Sequence, residues 1–185
     1  MDETSEVLQE VFRCYYLKFD YRLLHQIGES VSYDNLFRRL AWQIHLEILP
    51  LPVSPLWVNI IEAQRERYDQ FLEYLKPTQY DDVIGQDINR LFSDIPFFMV
   101  ESTRNTVKRM CQVFAQNHPN IGYQQGVHEL VAIVYLAFSG NTPPFVDSPV
   151  PFPQEYLDTF KTLTKKGYTE HDAYIATERI IVMLA

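Results

Sequence analysis

Two short stretches of this chain carry residues that could do chemistry. Ile84-x-x-Asp87-x-x-Arg90 sets an arginine one helical turn after an aspartate. Tyr123-Gln124-Gln125-Gly126 sets two amides between a tyrosine and a glycine, just ahead of a strongly apolar run. A guanidinium keeps its charge at any physiological pH and offers a rigid fork of donors, while a glutamine amide carries an acceptor and a donor on one planar group. Neither needs a shifted pKa. Each motif also has a plain reading: Asp87 and Arg90 can be an ion pair on a solvated helix face, and Gln125 can be a cap or a loop hydrogen bonder. His128 and Glu129 follow closely, but adjacent helical residues point different ways and no cysteine or second histidine completes a site, so no metal is expected. His118, before Pro119, reads as a turn residue.

The elements that must position these groups are helical. Val7, Leu8, Val11, Phe12, Tyr15 and Tyr16 recur at three- and four-residue steps and predict a first helix. A second starts near Ser32 or Asp34 and runs through LFRRLAWQIHLEIL to Pro50, where LPLPVSP breaks it. From Leu56 to Leu75, Ile61, Tyr68, Phe71, Leu72 and Leu75 share one face, and Glu62, Arg65, Glu66, Arg67 and Glu73 cover the other, as on a surface amphipathic helix. Residues 81–93 turn Ile84, Ile88 and Leu91 inward before Ile95-Pro96 breaks the pattern; Thr103 to Gln116 does the same with Val107, Cys111 and Phe114. Gly126 to Phe138 is apolar nearly all round, which predicts a central, buried helix. A proline-rich loop is expected over 139–153, then helices over PQEYLDTFKTLTKK and HDAYIATERIIVMLA. Nothing alternates with period two for long enough to build a sheet. The expected fold class is all-α, with about seven or eight helices and no substantial sheet.

Composition narrows the function. At 185 residues and 46% hydrophobic, the chain can bury a real core as one domain or part of one. A net charge of −8 and a pI near 5.1 provide no basic field for phosphate backbones, so nucleic acid is not an expected partner, and a basic patch on another protein is the more natural one. Cys14 and Cys111 form no C-x-x-C pair and read as reduced, buried thiols. The acidic N-terminus is unlike a signal peptide and LVAIVYLAF is too short to span a bilayer, so a cytoplasmic location is expected.

Arg38-x-x-x-Trp42, Ile84-x-x-Asp87-x-x-Arg90 and Tyr123-x-Gln125-Gly126, in this order, resemble the TBC-domain family of GTPase-activating proteins for Rab GTPases, from about Asn35 onward. The resemblance implies an all-helical domain in which Arg90 is an arginine finger and Gln125 a glutamine finger, both inserted into the active site of a GTP-bound Rab. It makes Asp87, Tyr123 and Gly126 supporting residues, and Arg38 with Trp42 a structural motif. HDAY at 171–174 resembles the point where the family's second half begins, and the last helix stops at Ala185 without a closing signal, so residues 1–185 are expected to be the N-terminal portion, without the C-terminal lobe and weak alone. The chain departs from the family at Leu91 and Ser93, where a threonine and a proline are usual. GTP and Mg²⁺ would belong to the Rab, the chain needing no cofactor and having no substrate site of its own; recruitment to endomembranes would use other regions. A finger of this kind is worth about 10³ to 10⁵ in rate. The alternative is a non-catalytic Rab-binding or scaffold module with the same fold.

Overall fold

A computed structural model of the chain describes residues 22, 35–51, 54–139, 158, 159, 161–163, 165 and 167–185. The expected helix around Val7 to Tyr16 and the 139–153 loop beyond Ser139 lie outside these residues, as does most of the helix expected over 153–166. The described residues include seven helices with defined bounds and no strand: α1 Asn35–His45, α2 Trp57–Glu73, α3 Asp81–Asn89, α4 Pro96–Met99, α5 Glu101–Asn117, α6 Val127–Phe138 and α7 Thr169–Leu184. The fold is all-α. Two compact units divide the chain, residues 1–63 with 140–167 and residues 64–139 with 168–185.

In the first unit, α1 buries Leu40, Ala41 and Ile44. It ends at His45, earlier than the expected stop at Pro50. The terminator is Glu47, in the left-handed region at φ 55. Its N–H donates to the Ile44 carbonyl at 2.9 Å and that of Ile48 reaches back to the Gln43 carbonyl at 2.8 Å, the double closure of a Schellman turn. Glycine usually takes this position, so the stop was invisible to a search for glycine and proline. Trp57, fully buried, donates its indole N–H to the Pro50 carbonyl at 2.8 Å.

In the second unit, α5 packs against α3, α4, α6 and α7. Ile84, Ile88 and Leu91 of the α3 segment and Val107, Cys111 and Phe114 of α5 are all buried, as their spacing predicts. Burial pushes the Cys111 thiol well above the ordinary thiol range, which leaves it unreactive. Pro96 does more than break a pattern: it opens α4 from the first helical position, where a missing N–H costs nothing.

Two helices differ from expectation. α6 is not covered all round, because Ile133 is 50% and Leu136 38% exposed while Val131, Ala132, Val134 and Phe138 are buried. The stretch buried without interruption is 172–178 of α7, which includes Asp172, Thr177 and Glu178. Those acids are matched from α2. Arg65, expected on the solvent face, is only 3% exposed; its Nε donates to Asp172 Oδ1 at 2.9 Å and its Nη2 to Oδ2 at 2.8 Å. The Tyr168 ring lies 4.4 Å from the guanidinium. Arg67 pairs with Glu178, which also takes His118 Nε2 at 2.9 Å. Arg109 forks onto Glu170 at 2.8 and 2.6 Å, and the Tyr68 hydroxyl donates to the same carboxylate at 2.8 Å. His118 closes the expected turn through its carbonyl and also joins the α7 network through its ring, which stacks on Phe114.

Removing one partner of a buried pair strands the other charge, so Arg65→Ala is expected to cost about 3–5 kcal/mol by urea unfolding, whereas Arg65→Met with Asp172→Leu should recover most of it. Burial raises the hydroxyl pKa of Tyr68 and Tyr174 far above the tyrosine range, and Glu170 and Glu178 beside them push the same way. The folded state thus holds these protons more tightly than the unfolded chain. That stability is present below the unfolded tyrosine pKa of about 10 and is lost as pH rises beyond it. Urea midpoints should fall above about pH 10, and less steeply in Tyr68→Phe.

Candidate functional site

Asp87 is where the site begins. Its backbone lies in the last turn of α3, whose start fits two early acids, Asp81 and Asp82, to the positive end of the helix dipole. Side chains at 84, 87, 88 and 91 face inward, and Asp87 is the polar member of that face, with its side chain 6% exposed. Arg90 follows as the C-cap, at φ −102 and ψ −1, with its N–H on the Asp87 carbonyl at 3.1 Å. The chain leaves the helix there, and the Arg90 side chain is 73% exposed. Its Nη2 donates to Asp87 Oδ1 at 3.1 Å, a pair between one buried and one solvated group. One nitrogen of the fork is engaged, and Asp87 is its only side-chain partner among the described residues.

The other oxygen of Asp87 belongs to the second motif. The Tyr123 hydroxyl donates to Asp87 Oδ2 at 2.8 Å, and the same hydroxyl lies 3.0 Å from His128 Nδ1. Burial, then the bond to Asp87, pushes the Tyr123 hydroxyl pKa far above the tyrosine range, so it stays a donor. Gln124 and Gln125 are both exposed. The Gln124 carbonyl accepts the Val127 N–H at 3.1 Å, a turn that opens α6, while the Gln125 amide has no hydrogen-bond partner among the described residues. Gly126 caps α6 from φ 99 with open space around it, so backbone conformation alone requires glycine. Gly122, at φ 66, is doubly constrained, because a Cβ there would run into the Tyr80 hydroxyl. Its N–H and that of Ile121 both donate to the His118 carbonyl, at 2.8 and 3.0 Å.

The structure therefore places Asp87, Arg90, Tyr123, Gln125 and Gly126 in one unit, with the first three linked by hydrogen bonds. Arg38 and Trp42 are half-buried residues of α1, in the other unit. Two contributors have no place in the sequence reading, His128 and Tyr80, whereas His118 takes the turn position expected of it, its carbonyl accepting the N–H groups of Ile121 and Gly122. His128 had a signal, a lone histidine on an otherwise apolar helix face five residues from Tyr123. Tyr80 had none, since its role depends on loop geometry.

The sequence profile of the Rab-GTPase-TBC domain matches residues 35–175. The chain belongs to this TBC-domain family. Human TBC1 domain family member 5 is 24% identical over 180 residues, covering 80% of this chain and 22% of that protein. The GTPase-activating protein GYP1 of Saccharomyces cerevisiae is 24% identical over 198 residues, covering 95% of this chain and 31% of that protein. The chain thus spans under a third of the length of either relative. Among solved structures, the Ypt/Rab-GAP domain of Gyp1p aligns with a TM-score of 0.63 at 20% identity, covering 98% of this chain and 58% of that one. The TBC fold is shared across that distance. Among the described residues of this TBC chain, no helix is long and apolar enough to cross a membrane, and no group of three metal-binding side chains occurs.

Gly126→Ala is expected to cost about 1 kcal/mol, for left-handed backbone alone. Gly122→Ala should cost clearly more, because Tyr80 must also move; equal losses by urea unfolding would remove the close approach from the account.

Proposed function

We propose that this TBC chain is a GTPase-activating module for Rab GTPases, supplying Arg90 and Gln125 in trans to a GTP-bound Rab. What supports this reading best is one observation: the Asp87 carboxylate takes Arg90 on one oxygen and Tyr123 on the other, so both motifs share a single buried anchor while their working groups stay exposed.

Each group answers one defect of slow GTP hydrolysis. Negative charge builds on the phosphoryl oxygens and the leaving oxygen, and the free donors of the Arg90 fork can meet it. The attacking water is poorly held; the Gln125 carbonyl can accept its proton-side bond while the amide N–H₂ points to the γ-phosphate. GTP and Mg²⁺ belong to the Rab, so the chain acts as an activator and needs no cofactor. Such a role places it in vesicle trafficking, in the cytoplasm and at endomembranes.

Single-turnover hydrolysis across a panel of GTP-loaded Rabs, with the full TBC domain that contains these residues titrated to saturation, tests this. Arg90→Ala is expected to lose about 10³ to 10⁵ of the stimulation on the responsive Rab, and Arg90→Lys most of it, because charge without the fork is a poor substitute. Gln125→Ala should lose roughly 10²-fold. A chain that binds Rabs and accelerates none would refute catalysis, and variants that match the wild type would refute the finger assignment.

A further inference from the structure

His128 is buried at 7% exposure, second residue of α6, and the mechanism just given does not use it. Its Nδ1 lies 3.0 Å from the Tyr123 hydroxyl oxygen and 3.7 Å from Asp87 Oδ2. Tyr123 has one hydroxyl proton and two polar neighbours. An ionised carboxylate can only accept, so the proton of Tyr123 goes to Asp87 Oδ2 at 2.8 Å. A bare lone pair on Nδ1 would then face an oxygen lone pair at hydrogen-bond distance, which is repulsive. The arrangement closes only when Nδ1 carries a proton and donates it to the Tyr123 oxygen.

We propose that His128 is a positioning residue for both fingers, acting through Tyr123; the proposal rests on the GTPase-activating reading above. By donating from Nδ1, His128 commits the Tyr123 proton to Asp87 Oδ2, which leaves Oδ1 to tether Arg90. The donors converge on the carboxylate: imidazole donates to phenol and phenol to Asp87 Oδ2, while the guanidinium donates to Oδ1 from the other side. The same contact clasps Tyr123 to His128 across Gln124, Gln125 and Gly126, so the segment that displays Gln125 is closed at both ends by side chains, with the Gln124 to Val127 backbone bond inside it. One residue thus restrains the base of each exposed group without touching a substrate.

The test uses the responsive Rab from the panel. His128→Leu removes the donor and is expected to lower kcat about tenfold while KM moves less than about twofold, since orientation and not Rab contact is lost. His128→Asn places an amide N–H near the position of Nδ1 and should restore most of kcat, which a filled-volume role would not do. Imidazole nitrogen NMR should find the His128 proton on Nδ1, shifting toward Nε2 in Tyr123→Phe. The proposal is overturned if His128→Leu keeps wild-type kcat, if His128→Asn is no better than His128→Leu in a folded protein, or if the wild-type proton sits on Nε2. Arg90→Ala in the same assay separates the two levels. If it leaves the rate untouched, the activating reading falls and the positioning role with it; if it abolishes the rate while His128→Leu does not, only the positioning role falls.

Discussion

A carboxylate taken out of water must be matched at both oxygens, and Asp87 imposes that demand on everything around it. Desolvating an ion costs several kcal/mol even after relaxation, so a 6% exposed aspartate survives as an anion only with donors in place. Arg90 supplies one from the end of its own helix and Tyr123 the other from a distant loop. Satisfying one buried group therefore fixes where α3 ends and how the segment before α6 lies against it. Gly122 makes that approach feasible by leaving room for Tyr80, and Gly126 turns the chain into α6 once the tyrosine is seated.

The same physics runs at larger scale along α7. Asp172, Glu170 and Glu178 are held by Arg65, Arg109 with Tyr68, and Arg67 with His118. Apolar periodicity located this helix but not its depth. Hydropathy takes an acidic residue for a surface one, yet 172–178 is buried throughout because each acid has its cation on a neighbouring element. Arg65 was misplaced for the mirror-image reason: among Glu62, Glu66 and Glu73, all exposed, it looks like one more solvated charge. Nothing within α2 distinguishes it; the distinguishing residue is 107 positions away. α6 errs the other way, since an all-apolar helix reads as buried although Ile133 and Leu136 remain uncovered.

Helix identity was legible wherever spacing alone decides it: Ile84, Ile88 and Leu91, or Val107, Cys111 and Phe114, face inward because three- and four-residue steps leave no other choice. The ends were less legible, since Glu47 closes α1 in a conformation that favours glycine. Of the site, the aspartate and arginine one turn apart could be paired by spacing, and glycine after Gln125 signals a turn. The Tyr123 bond to Asp87 could not be derived from either motif, because neither contains its partner. His128 has no side-chain partner in its own helix, and a buried imidazole needs only one good acceptor to justify its place.

The departures at Leu91 and Ser93 show how the chain can hold Arg90 without the usual residues. Leu91 is 3% exposed and pins the backbone immediately after the arginine into the core. Phe92 then turns the chain at φ 35, a left-handed conformation that costs a β-carbon residue about 1–2 kcal/mol. Its ring packs 5.5 Å from Phe98, which in turn meets Phe97 at 5.0 Å, and Phe97 reaches Tyr135 of α6 at 5.6 Å. Aromatic pairs are worth about 0.5–1.5 kcal/mol each beyond burial, so this cluster offsets the strain and fixes the exit of α3. A proline would limit one backbone angle; the aromatic chain instead ties the segment after Arg90 to the same helix that Gln125 precedes. Both exposed groups then rest on α6, one through Phe97 and Tyr135, the other through Gly126 and His128. Their tips are exposed, and the one solvated ion pair that Arg90 makes is worth no more than about 1 kcal/mol. The packing and hydrogen bonds of the fold fall on the bases of these two groups, which leaves both tips in solvent.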